Sequence, residues 1–321
     1  MTAPDQHIYP KRARNTPISI ILNFIRGGLI GMAELVPGIS GGTVALVVGI
    51  YERALGAGNG LLDVVKAAVK DRSRLNAAAA KVDWLFLLAV GVGMVLMVFS
   101  MSTLLSNFVE NHPEVSRGLF LGMVAVSIIV PVGMMDPKDL KKKLPAVVPV
   151  FIVAAVVSFI ATGFTSAPQE NPSLIIIFLA AAVAVCALVL PGVSGSFFLL
   201  AVGLYAPVMN SLSNREWDVI GVFILGALLG IILFIRGLSW VLEHHRTITL
   251  TIMSGLMLGS LRALWPWQDG EAGLLSPYGS SGEIWTVIGM VALGGAIVAA
   301  FIVAEKLSPK QSLVRTETEP A

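Results

Sequence analysis

Charged residues are scarce in this 321-residue chain: they make up 13% of it, whereas hydrophobic residues make up 55%. Soluble domains contain about 25% charged residues on average. The mean hydropathy is +0.83, and a net charge of +2 gives no basis for binding nucleic acid. The composition predicts an integral membrane protein surrounded by bilayer lipids.

Cysteine is nearly absent, because Cys186 is the only one. The chain therefore forms neither an intrachain disulfide nor a cysteine-based metal site. In addition, no histidine falls inside an apolar segment. We expect no metal and no cofactor. We also expect no cleaved signal peptide, because Arg26 and Glu34 interrupt the first apolar stretch and no small-residue cleavage pattern follows it.

Three uncharged runs are long enough to cross a bilayer as helices, which takes about 20 residues: Trp84 to Val109, Leu144 to Pro168, and Ile284 to Ala304. Counting shorter stretches gives ten apolar segments, five in each half of the chain. They cover approximately 18–36, 39–51, 84–109, 118–135, 144–167, 173–190, 193–212, 219–242, 247–267 and 284–304.

One phrase occurs twice. Residues 33–51 read AELVPGISGGTVALVVGIY and residues 187–205 read ALVLPGVSGSFFLLAVGLY, with nine identities in nineteen positions. Apolar bias alone does not align Pro, Gly, Ser and Tyr. We therefore predict two repeats, 18–167 and 168–305, between an N-terminal tail (1–17) and a C-terminal tail (306–321).

Lysine and arginine are enriched in cytoplasmic loops. The N-terminal tail, the stretch 53–81, the sequence DPKDLKKK and the C-terminal tail carry most of these residues, whereas TSAPQENPS has none. Both termini are thus expected in the cytoplasm of a bacterial cell, and the repeats are expected to be inverted. Only 25 residues separate Arg26 from Glu52, which favours re-entrant hairpins over two full spans in the first half and leaves the second half open.

Each phrase predicts a helix break followed by a helix start. Proline and glycine end one helix, and a serine caps the next. The amides from about residue 39 to 43, and from 193 to 197, are then expected to be exposed to an anion. Close packing of two kinked helices is the structural alternative. The predicted phosphate-binding residues are Arg26, Pro37, Gly38, Ser40, Gly41, Gly42, Thr43, Pro191, Gly192, Ser194, Gly195 and Ser196.

Ionisable groups inside membrane segments are often functional. We expect Arg26 to attract a phosphate and Glu34 to exchange a proton with it, or else Arg26 to reach the interface and Glu34 to cap the break. Snorkelling is expected for Arg236 and Arg262. Tyr51 and Tyr205 are expected to anchor the hairpins at the membrane interface.

With these residues assembled, RGGLIGMAELVPGISGGTVALVVGIYER and LPGVSGSFFLLAVGLY resemble the two signatures of the bacterial family first described as domain of unknown function 368. Members of this family are described as PopT-type polyprenyl-phosphate transporters. The resemblance covers roughly residues 18–305. It implies an all-α membrane protein, not an enzyme, that returns a polyprenyl-phosphate lipid such as undecaprenyl phosphate from the outer to the inner leaflet for envelope synthesis.

Two alternatives stay open at this point. A membrane phosphatase acting on lipid pyrophosphate also has inverted repeats and a Pro-Gly-x-Ser-Arg motif, but Gly195 stands where that arginine would be. A transporter of small soluble anions would use the same helix ends. The residues alone do not determine the length of the carrier, the coupling ion or the oligomeric state.

Overall fold

The structure, a computed structural model, describes residues 16–35, 40–164, 166, 168–169, 172–269 and 273–307. Within these ranges the chain is helical, and the one extended pairing is the bridge between Gln268 and Leu274. The first seven helices are α1 (Pro17–Glu34), α2 (Gly41–Val47), α3 (Tyr51–Lys70), α4 (Leu75–Lys81), α5 (Trp84–Asn111), α6 (Pro113–Ser127) and α7 (Ile129–Gly133). The other seven are α8 (Pro137–Ala161), α9 (Leu174–Val189), α10 (Gly195–Ala201), α11 (Tyr205–Ser213), α12 (Trp217–His244), α13 (Arg246–Ser260) and α14 (Ser281–Leu307).

Several helices begin at a polar cap that accepts a hydrogen bond from a first-turn amide. Thr16 caps α1, Asp83 caps α5 and Asp136 caps α8. Proline is the first residue of α1 and of α8, where its missing N–H costs no hydrogen bond. A few neighbouring residues in the sequence therefore determine where these helices begin.

Six helices are long and apolar enough to cross a membrane, and a seventh span results if α10 and α11 count as one bent span. The six include helices over the three long uncharged runs of the sequence, the second of them as far as Ala161, so three spanning helices are confirmed at those places. They are Trp84–Asn111, Pro113–Gly133, Pro137–Ala161, Trp217–His244, Arg246–Leu264 and Ser281–Ala304.

The stretch 53–81 is not the plain loop that its charges suggested. It holds most of α3, a 3₁₀ turn at Arg72–Arg74, and α4. Three ion pairs tie α3 to its surroundings. Arg53 Nε donates to Asp83 Oδ2 at 3.1 Å, Arg246 lies 2.6 Å from Glu52, and Arg236 donates to Asp63 at 2.9 Å. Arg236 is therefore held by a carboxylate at the surface rather than only extended towards the membrane interface.

Helices from the two halves correspond in length and in packing. α5 and α12 both have 28 residues, and α6 and α13 both have 15. Glycines bring the partners into backbone contact: α1 packs on α5, and α9 packs on α12 in the same way. In the first pair Gly27 lies against Val90 and Gly31 against Met94. The residue numbers of the contacts rise in the same direction along both helices, so the two helices are parallel.

The remaining long helices exchange partners between the halves. α6 of the first half packs on α14 of the second, and α13 of the second half packs on α8 of the first. In both pairs glycines face a backbone carbonyl of the partner: Gly122 lies against Val291, and Gly255 against Phe151. These two pairs are also parallel, because Gly118 meets Val287 one turn before Gly122, and Gly259 meets Ala155 one turn after Gly255. The two halves are thus interwoven.

The largest buried core surrounds the first of the two helix breaks. It joins Leu46, Ile50 and Tyr51 to Phe86 of α5 and Met253 of α13. Phe86 and Met253 are each 1% exposed. The centre of the fold is therefore the place where the repeated phrase lies.

Candidate functional site

Both predicted serine caps are confirmed. Ser40 precedes α2 with φ −103° and ψ 130°, and Ser194 precedes α10 with φ −103° and ψ 129°. Ser40 Oγ accepts from the Gly42 N–H at 3.2 Å, and Ser194 Oγ accepts from the Phe197 N–H at 3.4 Å. One local sequence thus produces the same backbone geometry twice.

Three amides of the first break, within the stretch 39–43 that was expected to face an anion, already have acceptors inside the protein. The Gly41 N–H donates to Glu34 Oε1 at 2.9 Å, the Gly42 N–H is taken by Ser40 Oγ, and the Thr43 N–H by the Ser40 carbonyl at 2.9 Å. The physical reason is that a buried amide needs an acceptor, and the Glu34 carboxylate at the end of α1 supplies one.

The first break is bonded directly to the second. Ser40 Oγ lies 3.2 Å and 3.0 Å from the carbonyl oxygens of Leu188 and Leu190, to which it donates. The Gly192 N–H donates to Thr43 Oγ1 at 3.0 Å. Ser40 and Thr43 are each 2% exposed. Side chains of the first phrase therefore satisfy the backbone groups that the second break leaves without helical partners.

Glycine is required at two of these contacts. A Cβ on Gly42 would lie 2.5 Å from the Val189 carbonyl oxygen, and one on Gly192 would lie 2.5 Å from the Met257 amide nitrogen. Gly192 also has φ +83°, a conformation that other residues rarely adopt. At Gly42 the two breaks lie too close together to admit a side chain. At Gly192 the second break lies equally close to α13.

Tyr51 does not lie at the membrane interface, so that expectation was wrong. Its ring is 5% exposed, and its hydroxyl donates to the Val189 carbonyl oxygen at 3.1 Å. The carbonyl lies at the end of α9, where the helical acceptor pattern stops, and a buried hydroxyl is a suitable donor. Tyr205, the counterpart of Tyr51, is 39% exposed.

Each half has a cavity beside its break, and the two are lined by corresponding residues. The cavity of the second half has a volume of about 220 Å³, and hydroxyls of Ser158, Thr162, Ser194 and Ser260 lie along it. The cavity of the first half measures about 370 Å³. There Thr43 replaces Phe197, and most of the lining is apolar. The cavity with more hydroxyl-bearing residues, called the hydroxyl-rich cavity below, thus lies beside the second phrase, where Ser194 Oγ and Ser196 Oγ are also 3.0 Å apart.

Arg26 lies on α1 two turns before Glu34, and its guanidinium donates to Asn23 Oδ1 at 3.3 Å. Asn23 is 1% exposed, and among the described residues no acceptor bonds its Nδ2. Sequence analysis missed this asparagine. The available signal was its contrast with Ile177, the apolar residue at the corresponding place in α9, which is 2% exposed.

Pro37 and Gly38, predicted as part of the site, lie outside the described residues. Pro191, Gly192, Ser194 and Gly195 are buried at the second break. Arg262 packs over the Phe159 ring at 4.8 Å and donates to the Phe159 carbonyl at 3.3 Å. In the part of the chain that the structure describes, no group of three or more His, Cys, Asp or Glu residues is placed to hold a metal ion.

These features define a polytopic helical membrane protein in which two serine-capped helix breaks meet inside the helical bundle. The chain belongs to the undecaprenyl phosphate translocase-like (VCA0040-like) family, whose model matches residues 30–281. The family resemblance drawn from the two motifs is therefore confirmed.

Two curated relatives carry the same description. A polyprenyl-phosphate transporter of Vibrio cholerae serotype O1 is 31% identical over 256 residues, which cover 78% of this chain and 80% of the relative. A polyprenyl-phosphate transporter of Staphylococcus aureus is 28% identical over 257 residues, which cover 76% of this chain and 86% of the relative. No solved structure shows a significant match to the chain.

Proposed function

We propose that this protein carries polyprenyl phosphate, such as undecaprenyl phosphate, from the outer to the inner leaflet of the bacterial cell membrane for reuse in envelope synthesis. The observation that carries the proposal is the direct bonding of the two breaks by Ser40 and Thr43 in a chain of this family. A lipid phosphate needs a polar path for its headgroup only, because its chain stays in the hydrocarbon.

The proposed headgroup site lies where the two phrases meet. Ser194 and Ser196 supply its hydroxyl donors, Ser40 and Thr43 join the two breaks beside them, and the neighbouring glycines permit close approach of the backbone. Two and three turns before Glu34 on α1, and so at a distance from the break itself, Arg26 adds a positive charge and Asn23 adds a buried donor. The full proposed set is Asn23, Arg26, Pro37, Gly38, Ser40, Gly41, Gly42, Thr43, Pro191, Gly192, Ser194, Gly195 and Ser196.

The Glu34 side chain bonds one amide of this site. Its carboxylate accepts from the Gly41 N–H, which is the kind of donor that a phosphate oxygen uses. Phosphate and carboxylate are both anions and repel each other at close range. They therefore cannot both bind at the break while both are ionised. We infer that Glu34 takes up a proton when the headgroup binds and loses it when the headgroup leaves. In this proposal the ionised Glu34 caps the break, and the protonated Glu34 accompanies the bound headgroup.

The two halves, 18–167 and 168–305, are proposed to be inverted repeats with both termini in the cytoplasm. The parallel pairing of α1 with α5 supports a hairpin in the first half, because the chain between them must return to the side from which α1 starts. The bend of 112° between α10 and α11 supports a re-entrant hairpin in the second half. Alternating movement of such repeats would expose one site to each leaflet in turn.

We propose transport without hydrolysis. The test uses purified protein in liposomes that contain polyprenyl phosphate or polyprenyl pyrophosphate, or that enclose a soluble anion. Leaflet transfer and phosphate release are measured together. Transfer of the monophosphate lipid without phosphate release supports the proposal. Release from the pyrophosphate lipid without transfer supports the phosphatase, and movement of the soluble anion alone supports an anion transporter.

Variants separate the roles of the two ionisable groups. Glu34→Gln keeps an acceptor near Gly41 but removes the proton site, so transfer is expected to lose its dependence on a pH gradient. Arg26→Gln is expected to reduce transfer at least tenfold, because one charge-assisted hydrogen bond contributes about 1.5–3 kcal/mol. The matched control is Arg236→Gln, which breaks the surface pair with Asp63. Full, pH-coupled activity of Glu34→Gln would remove Glu34 from the mechanism.

A further inference from the structure

A third cavity lies wholly within the second half. It is bounded by α9, α10, α11 and α12 and has a volume of about 440 Å³, within the range of sites that hold small molecules. Its walls are almost entirely apolar, with Ala184, Val185 and Phe223 among them. Met209 and Leu212, which also line it, are 42% and 55% exposed. The cavity is therefore open at the side of α11.

One end of this cavity is formed by the second phrase. Gly195 and Ser196 line it, and Ser196 Oγ lies 3.0 Å from Ser194 Oγ, which lines the hydroxyl-rich cavity on the other side of the break. The two cavities thus meet at Ser194 and Ser196. A molecule with its polar end at these hydroxyls has an apolar slot directly beside it.

The corresponding place in the first half is closed by protein. Leu55 and Phe86 correspond to the cavity-lining Met209 and Val219, and they are 4% and 1% exposed within the largest core cluster. The same arrangement of helices therefore packs solidly in one half and leaves a slot in the other. Packing of protein interiors is normally close, so an open slot at this place is a difference between the two halves.

We propose that this slot binds the first isoprene units of the polyprenyl chain while the phosphate lies at Ser194 and Ser196. The inference rests on the proposed function. The chain of a polyprenyl phosphate is attached directly to its phosphate, so an apolar slot must begin at the headgroup site, as this one does. Since burial of an apolar group out of lipid gives little driving force, recognition here depends on fit to the methyl-branched chain.

The experiment uses farnesyl phosphate that carries a diazirine in its second isoprene unit, with full-length protein in lipid nanodiscs. Labelled peptides are identified by mass spectrometry. Val185→Phe fills the slot from α9. Its matched control is Val183→Phe on the same helix, where the valine is 48% exposed and does not line the slot. Ala227→Phe fills the slot independently from α12.

Labels are expected on α9, α11 and α12, with a yield at least tenfold lower in Val185→Phe and Ala227→Phe and unchanged in Val183→Phe. Thermal unfolding verifies that each variant is folded. Labels elsewhere, or equal loss in all three variants, would overturn the proposal. Equal competition by phosphatidic acid would also overturn it, because the slot would then accept any lipid chain. Leaflet transfer by the wild-type protein is measured separately, so failure of transport is distinguishable from failure of the slot.

Discussion

Tyr51 and Tyr205 offer a test in which each residue is the control for the other. They stand at corresponding places of the two phrases, but their surroundings differ. The Tyr51 hydroxyl donates to the Val189 carbonyl from a ring that is 5% exposed. Tyr205 is 39% exposed, and within the described residues its hydroxyl makes no hydrogen bond. Tyr51→Phe therefore removes a buried hydrogen bond to the residue that precedes the second break. Tyr205→Phe removes the hydroxyl of an exposed tyrosine.

The expected loss in Tyr51→Phe follows from the acceptor that is left behind. An intramolecular hydrogen bond contributes about 1 kcal/mol net, and leaving its buried partner unsatisfied costs about 1–3 kcal/mol. Bonds between membrane helices average about 0.6 kcal/mol, with a maximum near 1.7. We therefore expect a destabilisation of about 1 kcal/mol. Because the unfolding entropy is about 2.1 cal/mol/K per residue, a loss of that size lowers the melting temperature of a 321-residue chain by about 1.5 °C.

The assay is thermal unfolding of both purified variants in one detergent, followed by tryptophan fluorescence and by loss of the monodisperse peak in size-exclusion chromatography. Tyr205→Phe is expected to melt within about 1 °C of the wild type, because surface substitutions usually change stability by less than about 0.5 kcal/mol. An equal or larger effect of Tyr205→Phe, or no effect of Tyr51→Phe, would refute the assignment of Tyr51 as a bond between the breaks.

Three further predictions concern the same region. Thr43→Val leaves a buried amide of the second break without an acceptor and is expected to destabilise the protein by about 1–3 kcal/mol, whereas Thr43→Ser keeps the acceptor and restores most of the loss in the same melting assay. Gly42→Ala forces a Cβ to within 2.5 Å of a carbonyl oxygen and is expected to cost about 1–3 kcal/mol. Its control is Gly91→Ala, which meets nothing within 4 Å and is expected to be neutral or slightly stabilising. Asn23→Ile removes an unsatisfied buried donor, so it is expected to raise the melting temperature while lowering leaflet transfer; parallel gains in both would argue against Asn23 as a headgroup ligand.

The parts of the fold that the sequence predicted are those determined locally. The long uncharged runs in α5, α8 and α14 have no alternative but to be helices in lipid. The serine caps depend on two or three neighbouring residues. By contrast, α3 and α4 were missed because basic residues were taken as the mark of a loop, although the alanine-rich stretch LNAAAAK favours a helix.

The contacts of the site were predicted least well, because they join residues far apart in sequence. Ser40 and Thr43 bond to residues about 150 positions later, and no local pattern predicts that register. The burial of Tyr51 has the same origin, since an identical tyrosine at the end of the second phrase is exposed. The repeat predicted where the two breaks occur. It did not predict which donors and acceptors of one break form hydrogen bonds with those of the other.

The exchange of partners between the halves has a consequence for synthesis of the chain. α6 is made early, yet the helix that covers its glycine face, α14, is the last long helix described in the chain. Until α14 is inserted, the backbone beside Gly118 and Gly122 faces lipid or another protein. The first half therefore cannot reach its final packing before the second half has been made.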